Sequence, residues 1–191
     1  MSGAVKEMKR GANVTLTREI PDLRGVVLGV QFNAGLEQVL VDNIVVAAIL
    51  CRGDGDALSD RHFVYFNQLA SPDLSVQQLR EVIGEDRDQI EVDLHAAPAE
   101  VTRIAIVMYV NEGTAVRRTL GRLKTCVIRV LNLDGNAELI RSENLAPALD
   151  AETGLALGEL YRHSGGWKFK VLGDGYAGGV TALAADYGIR L

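Results

Sequence analysis

Two short acidic segments hold the side chains most suited to chemistry. The stretch "RGDGDALSD" carries Asp54, Asp56 and Asp60, and "GEDRD" carries Glu85, Asp86 and Asp88. Grouped carboxylate oxygens are the donors that a hard cation such as calcium takes. Neither segment has the EF-hand pattern, with its central glycine and closing glutamate, and the first reads simply as a solvated turn between two apolar runs. A third stretch, "VLGDGYAGGVTALAADYG", sets Gly173, Gly175 and Gly178 at the spacing of a dinucleotide-binding fingerprint. That fingerprint requires a βαβ unit with an acid on a second strand, and too few residues follow Gly178 to supply one. The run before it reads instead as a hairpin, "GELYRHSGGWKFKVLG", turned at Ser164 to Gly166. These glycines are expected to serve the backbone where a strand passes into a terminal helix. Anion capture by the amides at that helix start is the weaker functional reading.

Other reactive side chains are sparse. His62, His95 and His163 stand in no signature that ties them to a serine or cysteine nucleophile, and G-x-S-x-G is absent. Cys51 and Cys126 lie inside the apolar runs "VVAAILC" and "TCVIRV" and lack the paired spacing of a zinc site. They are expected to be buried and reduced, which fits a cytoplasmic protein. The segment "VRRTLGRLKTCVIR" holds Arg117, Arg118, Arg122, Lys124 and Arg129 without an acid. It reads either as a solvated face or as a contact for an anionic partner or membrane surface.

The elements that must position these groups follow from composition and alternation. The chain has 191 residues, 48% of them hydrophobic and 24% charged, enough for one domain with a full core. A net charge of -5 excludes a dedicated nucleic-acid binder, whose affinity comes from neutralising phosphates. No apolar run is long enough to span a bilayer, and the opening "MSGAVKEMKRGANV" lacks the apolar stretch of a signal peptide. Strand-like runs bounded by Gly, Asp, Asn and Pro recur at 13–17, 25–33, 43–51, 62–66, 89–94, 102–110, 125–133, 138–142, 157–163 and 167–172. Helical periods are short, at 75–82, 114–123 and 179–187. Strands that do not alternate with helices predict a mainly β fold: one domain over 1–191, an antiparallel β-sandwich with a few short peripheral helices, including a C-terminal one.

Several blocks also resemble a known family. "KRGANVTLT", "SDRHFVYFNQLASPDLSV", "IEVDL" and, most specifically, "GELYRHSGGWKFKVLGDGYAGGVTALAADYG" are similar, in the same order, to the TerD family of tellurium-resistance and stress-response proteins. The resemblance implies a β-sandwich that binds calcium in typical members, with no enzymatic activity. It further implies protein partners in a cytoplasmic stress-response assembly, with peripheral membrane proximity and no nucleic acid. At the positions of the family's D-x-D-x-D-A-S run this chain reads "VDNIVVA", which puts Val41, Asn43 and Val45 in place of carboxylates, with Asp42 one residue out of register. The family's long Gly/Asp loop shrinks here to "QQLREVIGEDRDQ", which keeps Glu85, Asp86 and Asp88, and Asn67 matches a further family position.

The candidate calcium ligands are therefore Asp42, Asn43, Asn67, Glu85, Asp86 and Asp88. With two or three carboxylates lost, calcium binding is expected to be weak or absent, since the ion takes six to eight oxygens. The leading expectation is a non-enzymatic stress-response binding or scaffold protein without a certain cofactor. The alternative is a calcium-dependent sensor with a rearranged site around Asn67, Glu85, Asp86 and Asp88. A third reading, a small-molecule or anion-binding enzyme at "GDGYAGG", requires a pocket there joined by Arg162 or His163.

Overall fold

A computed structural model of the chain describes residues 3–111 and 118–191. Twelve strands run in chain order: β1 Lys6–Met8, β2 Asn13–Thr15, β3 Gly25–Asn33, β4 Ile44–Cys51, β5 Phe63–Val64, β6 Val76–Gln78, β7 Asp88–Asp93, β8 Arg103–Val110, β9 Thr125–Asn132, β10 Glu138–Ser142, β11 Gly154–His163 and β12 Gly166–Tyr176. They form two six-stranded sheets, β1-β10-β9-β3-β7-β6 and β2-β12-β11-β8-β4-β5. We call these the first and second sheets. All pairings are antiparallel except β1 with β10. The predicted β-sandwich is the fold.

The two sheets share one apolar core, filled from alternate positions of each strand. Val26, Leu28, Val30 and Phe32 enter it from β3, and Ile104, Ile106 and Met108 enter it from β8. The second sheet also buries its outer face, which explains why β4 reads "IVVAAILC" with no polar alternation. Ala47, Ile49, Ala105, Val107, Tyr109 and Ala156 form a second apolar cluster there with Leu183, Ala184 and Tyr187. Leu183 and Ala184 belong to the terminal helix α2, Gly179–Asp186, which Tyr187 and the left-handed Gly188 (φ 69°) end. This is the expected C-terminal helix.

A bulge in β11 decides where its one buried acid goes. The register slips between Ala156 and Gly158 against both β8 and β12. Leu155 and Leu157 point into the core before the slip and Leu160 points there after it, so Glu159 falls on the outer face instead of among the leucines. Gly158 suits the bulge because a Cβ there would lie 2.8 Å from Phe169 Cζ and 3.0 Å from the Lys170 carbonyl.

Some local expectations are corrected. Residues 75–82, which have a helical period, form β6 and a bend, because the Asp73 carboxylate pins the preceding loop. Its Oδ1 accepts from the Ser75 N–H at 2.8 Å and from the Ser71 hydroxyl at 2.8 Å, leaving Val76 to pair with Val92. Of the expected helix at 114–123, residues 114–117 lie outside the described residues, and Leu120–Arg122 form a single 3-10 turn. A five-residue helix, α1 Gln38–Asp42, for which no element was expected, leads into β4, which begins at Ile44, one residue inside the strand expected at 43–51.

Candidate functional site

The six candidate calcium ligands are already engaged elsewhere or point to solvent. Asp42 closes α1, and its Oδ1 accepts from Gln38 Nε2 at 2.7 Å. Asn43 follows as the C-cap residue and donates its side-chain amide to the Val39 carbonyl at 2.7 Å. Asn67 is exposed in the tight turn between Tyr65 and Gln68, and Glu85 is exposed in the loop before β7. Among the described residues, no group of three or more His, Cys, Asp or Glu side chains is placed to hold a metal ion.

Asp86 has a different occupation altogether. Its side chain is fully buried on the outer face of the first sheet, where Arg129 meets it with Nε to Oδ1 at 2.7 Å and Nη2 to Oδ2 at 2.8 Å. Gln89 donates to the same Oδ2 at 2.7 Å. Sheet register builds this site, since Arg129 and Gln89 are the two cross-strand neighbours of Gly29. The bare Cα of Gly29 leaves the space that the carboxylate fills; a Cβ there would run into Asp86. Glu138 and Arg141 extend the network, with Arg141 Nη2 2.9 Å from Glu138 Oε1.

Asp88 is half-buried beside Gln78, whose amide donates to it at 3.2 Å. Burial pushes its carboxyl from 3.8 up to about 6, against the pull of that hydrogen bond. As pH rises through this window the unfolded chain releases the proton before the folded chain does, so Asp88 withdraws stability and the deficit persists at neutral pH. Asp88→Asn should therefore melt higher than the parent at pH 7 and match it near pH 3.5. Equal melting temperatures at both values would show that the carboxyl is not held in its acid form.

The remaining singled-out groups separate in the same way. His62 Nδ1 lies 2.7 Å from the Ser59 hydroxyl, while His95 and His163 are exposed. Cys51 and Cys126 are buried and unpaired, and burial pushes both thiols up to about 12. Arg118 and Arg122 converge on Glu37 at 3.8 and 2.8 Å, and Arg129 belongs to the opposite pairing with Asp86. The stretch 118–129 thus presents no single basic face, and Arg117 lies outside the described residues. In the glycine fingerprint, β12 pairs antiparallel with β11 and β2, so the βαβ geometry is absent. Gly173 (φ 77°) lies under Arg10, and Gly175 lies under Glu152.

Sequence reasoning missed a polar cleft of about 360 Å³ on the outer face of the second sheet, beside α2. Arg103, Glu159, Lys170, Asp174, Tyr176 and Asp186 line it. Glu159 is 7% exposed and sits 3.3 Å from Arg103 Nε. Burial raises its pKa, with Arg103 and Lys170 opposing the rise. The Tyr176 hydroxyl donates to Asp186 Oδ2 at 2.6 Å, which ties the end of β12 to the end of α2. Arg162 and His163 are not part of this cleft. Arg162 turns to the sandwich edge, donating to the carbonyls of Val101, Ala97 and Pro98 and lying 4.4 Å from the Trp167 ring centroid. One signal for the cleft was legible: a lone glutamate inside "LALGELY".

The model of the TerD domain matches residues 5–187. The chain belongs to the TerD family. It is 33% identical to the tellurium resistance protein TerD of Serratia marcescens, over 96% of this chain and 97% of that protein. It is 32% identical to general stress protein 16U of Bacillus subtilis, with the same coverage. A solved homologue of telluride resistance protein (TerD) from Streptomyces coelicolor A3(2) shares the fold, with a TM-score of 0.65 at 15% identity over 85% of this chain and 95% of that one. The specific C-terminal block of this TerD-family chain supplies the second part of β11 from Gly158 onward, β12 and α2, and with them Glu159, Lys170, Tyr176 and Asp186 of the cleft.

Proposed function

We propose that this TerD-family chain is a non-enzymatic stress-response protein that acts by binding protein partners in a cytoplasmic assembly, and that its fold and binding do not depend on calcium. The observation that carries this reading is the fate of Asp86. Both of its oxygens are taken by Arg129 and Gln89 over the bare Gly29. A calcium ion would have to displace a bidentate guanidinium from a buried site to recruit it, and two more of the candidate ligands, Asp42 and Asn43, are committed to α1. The remaining set of Asn67, Glu85 and Asp88 supplies too few oxygens for an ion that takes six to eight. Support for the cytoplasmic setting comes from two buried, unpaired thiols in a chain whose described helices include none long and apolar enough to cross a membrane.

Calcium titration of metal-stripped protein by calorimetry, with thermal unfolding recorded alongside, tests the reading. No saturable heat and an unchanged melting temperature up to millimolar calcium are expected. Micromolar binding with a raised melting temperature would overturn it in favour of a calcium sensor, because a ligand that binds only the folded state must stabilise it.

A further inference from the structure

The tip of the β11–β12 hairpin forms a second cleft, at the end of the second sheet away from Tyr176 and α2, with a volume of about 520 Å³. Its lining is one-sided in chemistry. Arg18, His163 and Lys168 bring nitrogen donors and Thr15, Thr17 and Ser164 bring hydroxyls, while no carboxylate contributes among the described residues. In a chain of net charge -5 such a lining runs against the average surface.

The local structure explains how these donors come to face one space. Thr15 and Lys168 are cross-strand neighbours, so both side chains leave the same face of the sheet. His163 and Gly166 pair across the hairpin, whose two turn residues, Ser164 (φ 49°) and Gly165 (φ 79°), are left-handed. Gly166 forms the floor, and it must be bare there, since a Cβ would lie 2.5 Å from Thr17 Oγ1. That oxygen accepts from the Trp167 N–H at 2.9 Å, which leaves the Thr17 hydroxyl proton to be donated.

These nitrogen donors are not spent on neighbours. Arg18 and His163 make no ion pair among the described residues, and Lys168 lies only over the Tyr161 ring, at 5.9 Å. The acid next to Arg18, Glu19, turns away and pairs with Lys6 at 3.5 Å.

We propose that this cleft binds a phosphoryl group. A phosphate monoester presents three acceptor oxygens and a charge of about -1.5 to -2, which matches a set made only of donors. The volume falls within the ligand-cleft range of about 300–1,000 Å³ and exceeds what a bare oxyanion fills, leaving room for an organic carrier. The site shares no residue with the calcium question, so each experiment stands or fails alone.

The test is a calorimetric titration of the full chain with O-phosphoserine and, separately, with inorganic phosphate, in low-salt buffer. Saturable binding is expected, weakened at least about tenfold in Arg18→Gln and in Lys168→Gln and unchanged in Arg61→Gln, an exposed arginine outside the cleft. Thermal melts confirm that each variant is folded. Tighter binding of phosphoserine than of phosphate identifies the source as a phosphorylated molecule, and equal binding identifies it as the free anion. No saturable heat with either probe, or binding that both cleft variants leave intact, would overturn the proposal.

Discussion

Arg129→Met should lower the stability of the fold by about 3–5 kcal/mol, the range for removing one partner from a buried ion pair. The Asp86 side chain has no exposure, and Arg129 alone approaches both of its oxygens. Without the guanidinium the carboxylate keeps one neutral donor, Gln89, in a buried site. For a chain of this size the loss corresponds to a melting temperature roughly 6–20 °C lower. The double variant Asp86→Leu with Arg129→Met should recover much of that loss, because replacing both charges by apolar groups removes the stranded ion. Urea unfolding of the parent, the single variant and the double variant measures all three. A single variant within about 1 kcal/mol of the parent would show that the pair is not insulated from solvent.

Phe169→Ala should destabilise the sandwich by a similar amount, about 3–5 kcal/mol, through lost burial and the cavity left behind. Phe169 is fully buried, and its ring end presses on the bare Cα of Gly158 in the β11 bulge. The converse variant, Gly158→Ala, overpacks the same spot and should cost about 1–3 kcal/mol. Because the two changes act on one space, Gly158→Ala should be less damaging in a Phe169→Leu background than in the parent. Simple additivity of the two effects would mean that Gly158 is present for the backbone of the bulge and not for the ring.

The sandwich was legible because each strand carries its own alternation. The bounds expected for β3 and β10, 25–33 and 138–142, are those observed. Short elements were not legible. "KEM" has no apolar periodicity and becomes β1 only because β10 offers it an edge, and "QVLVD" has only the length of one helical turn and a little more. The fate of Asp86 was hidden for a different reason. Its site needs Gly29, Gln89 and Arg129 to meet across three strands, and that meeting is a property of register, which no local window contains. Read along the chain, Arg129 belonged to a basic segment and Asp86 to an acidic one. The polar cleft was concealed by a single slipped residue, since unbroken alternation through "LALGEL" would send Glu159 and Leu160 to the wrong faces.

Both sheets end in very short strands: β1, β2 and β6 have three residues each and β5 has two. An exposed edge of that length offers too few free amides and carbonyls to template the addition of an extended peptide, from another protein or from a second copy of this chain. Under the partner-binding role proposed above, recognition would then pass through side chains on sheet faces, turns and helix α2. Specificity would reside in individual surface residues open to change one at a time, while the backbone frame beneath them stays the same.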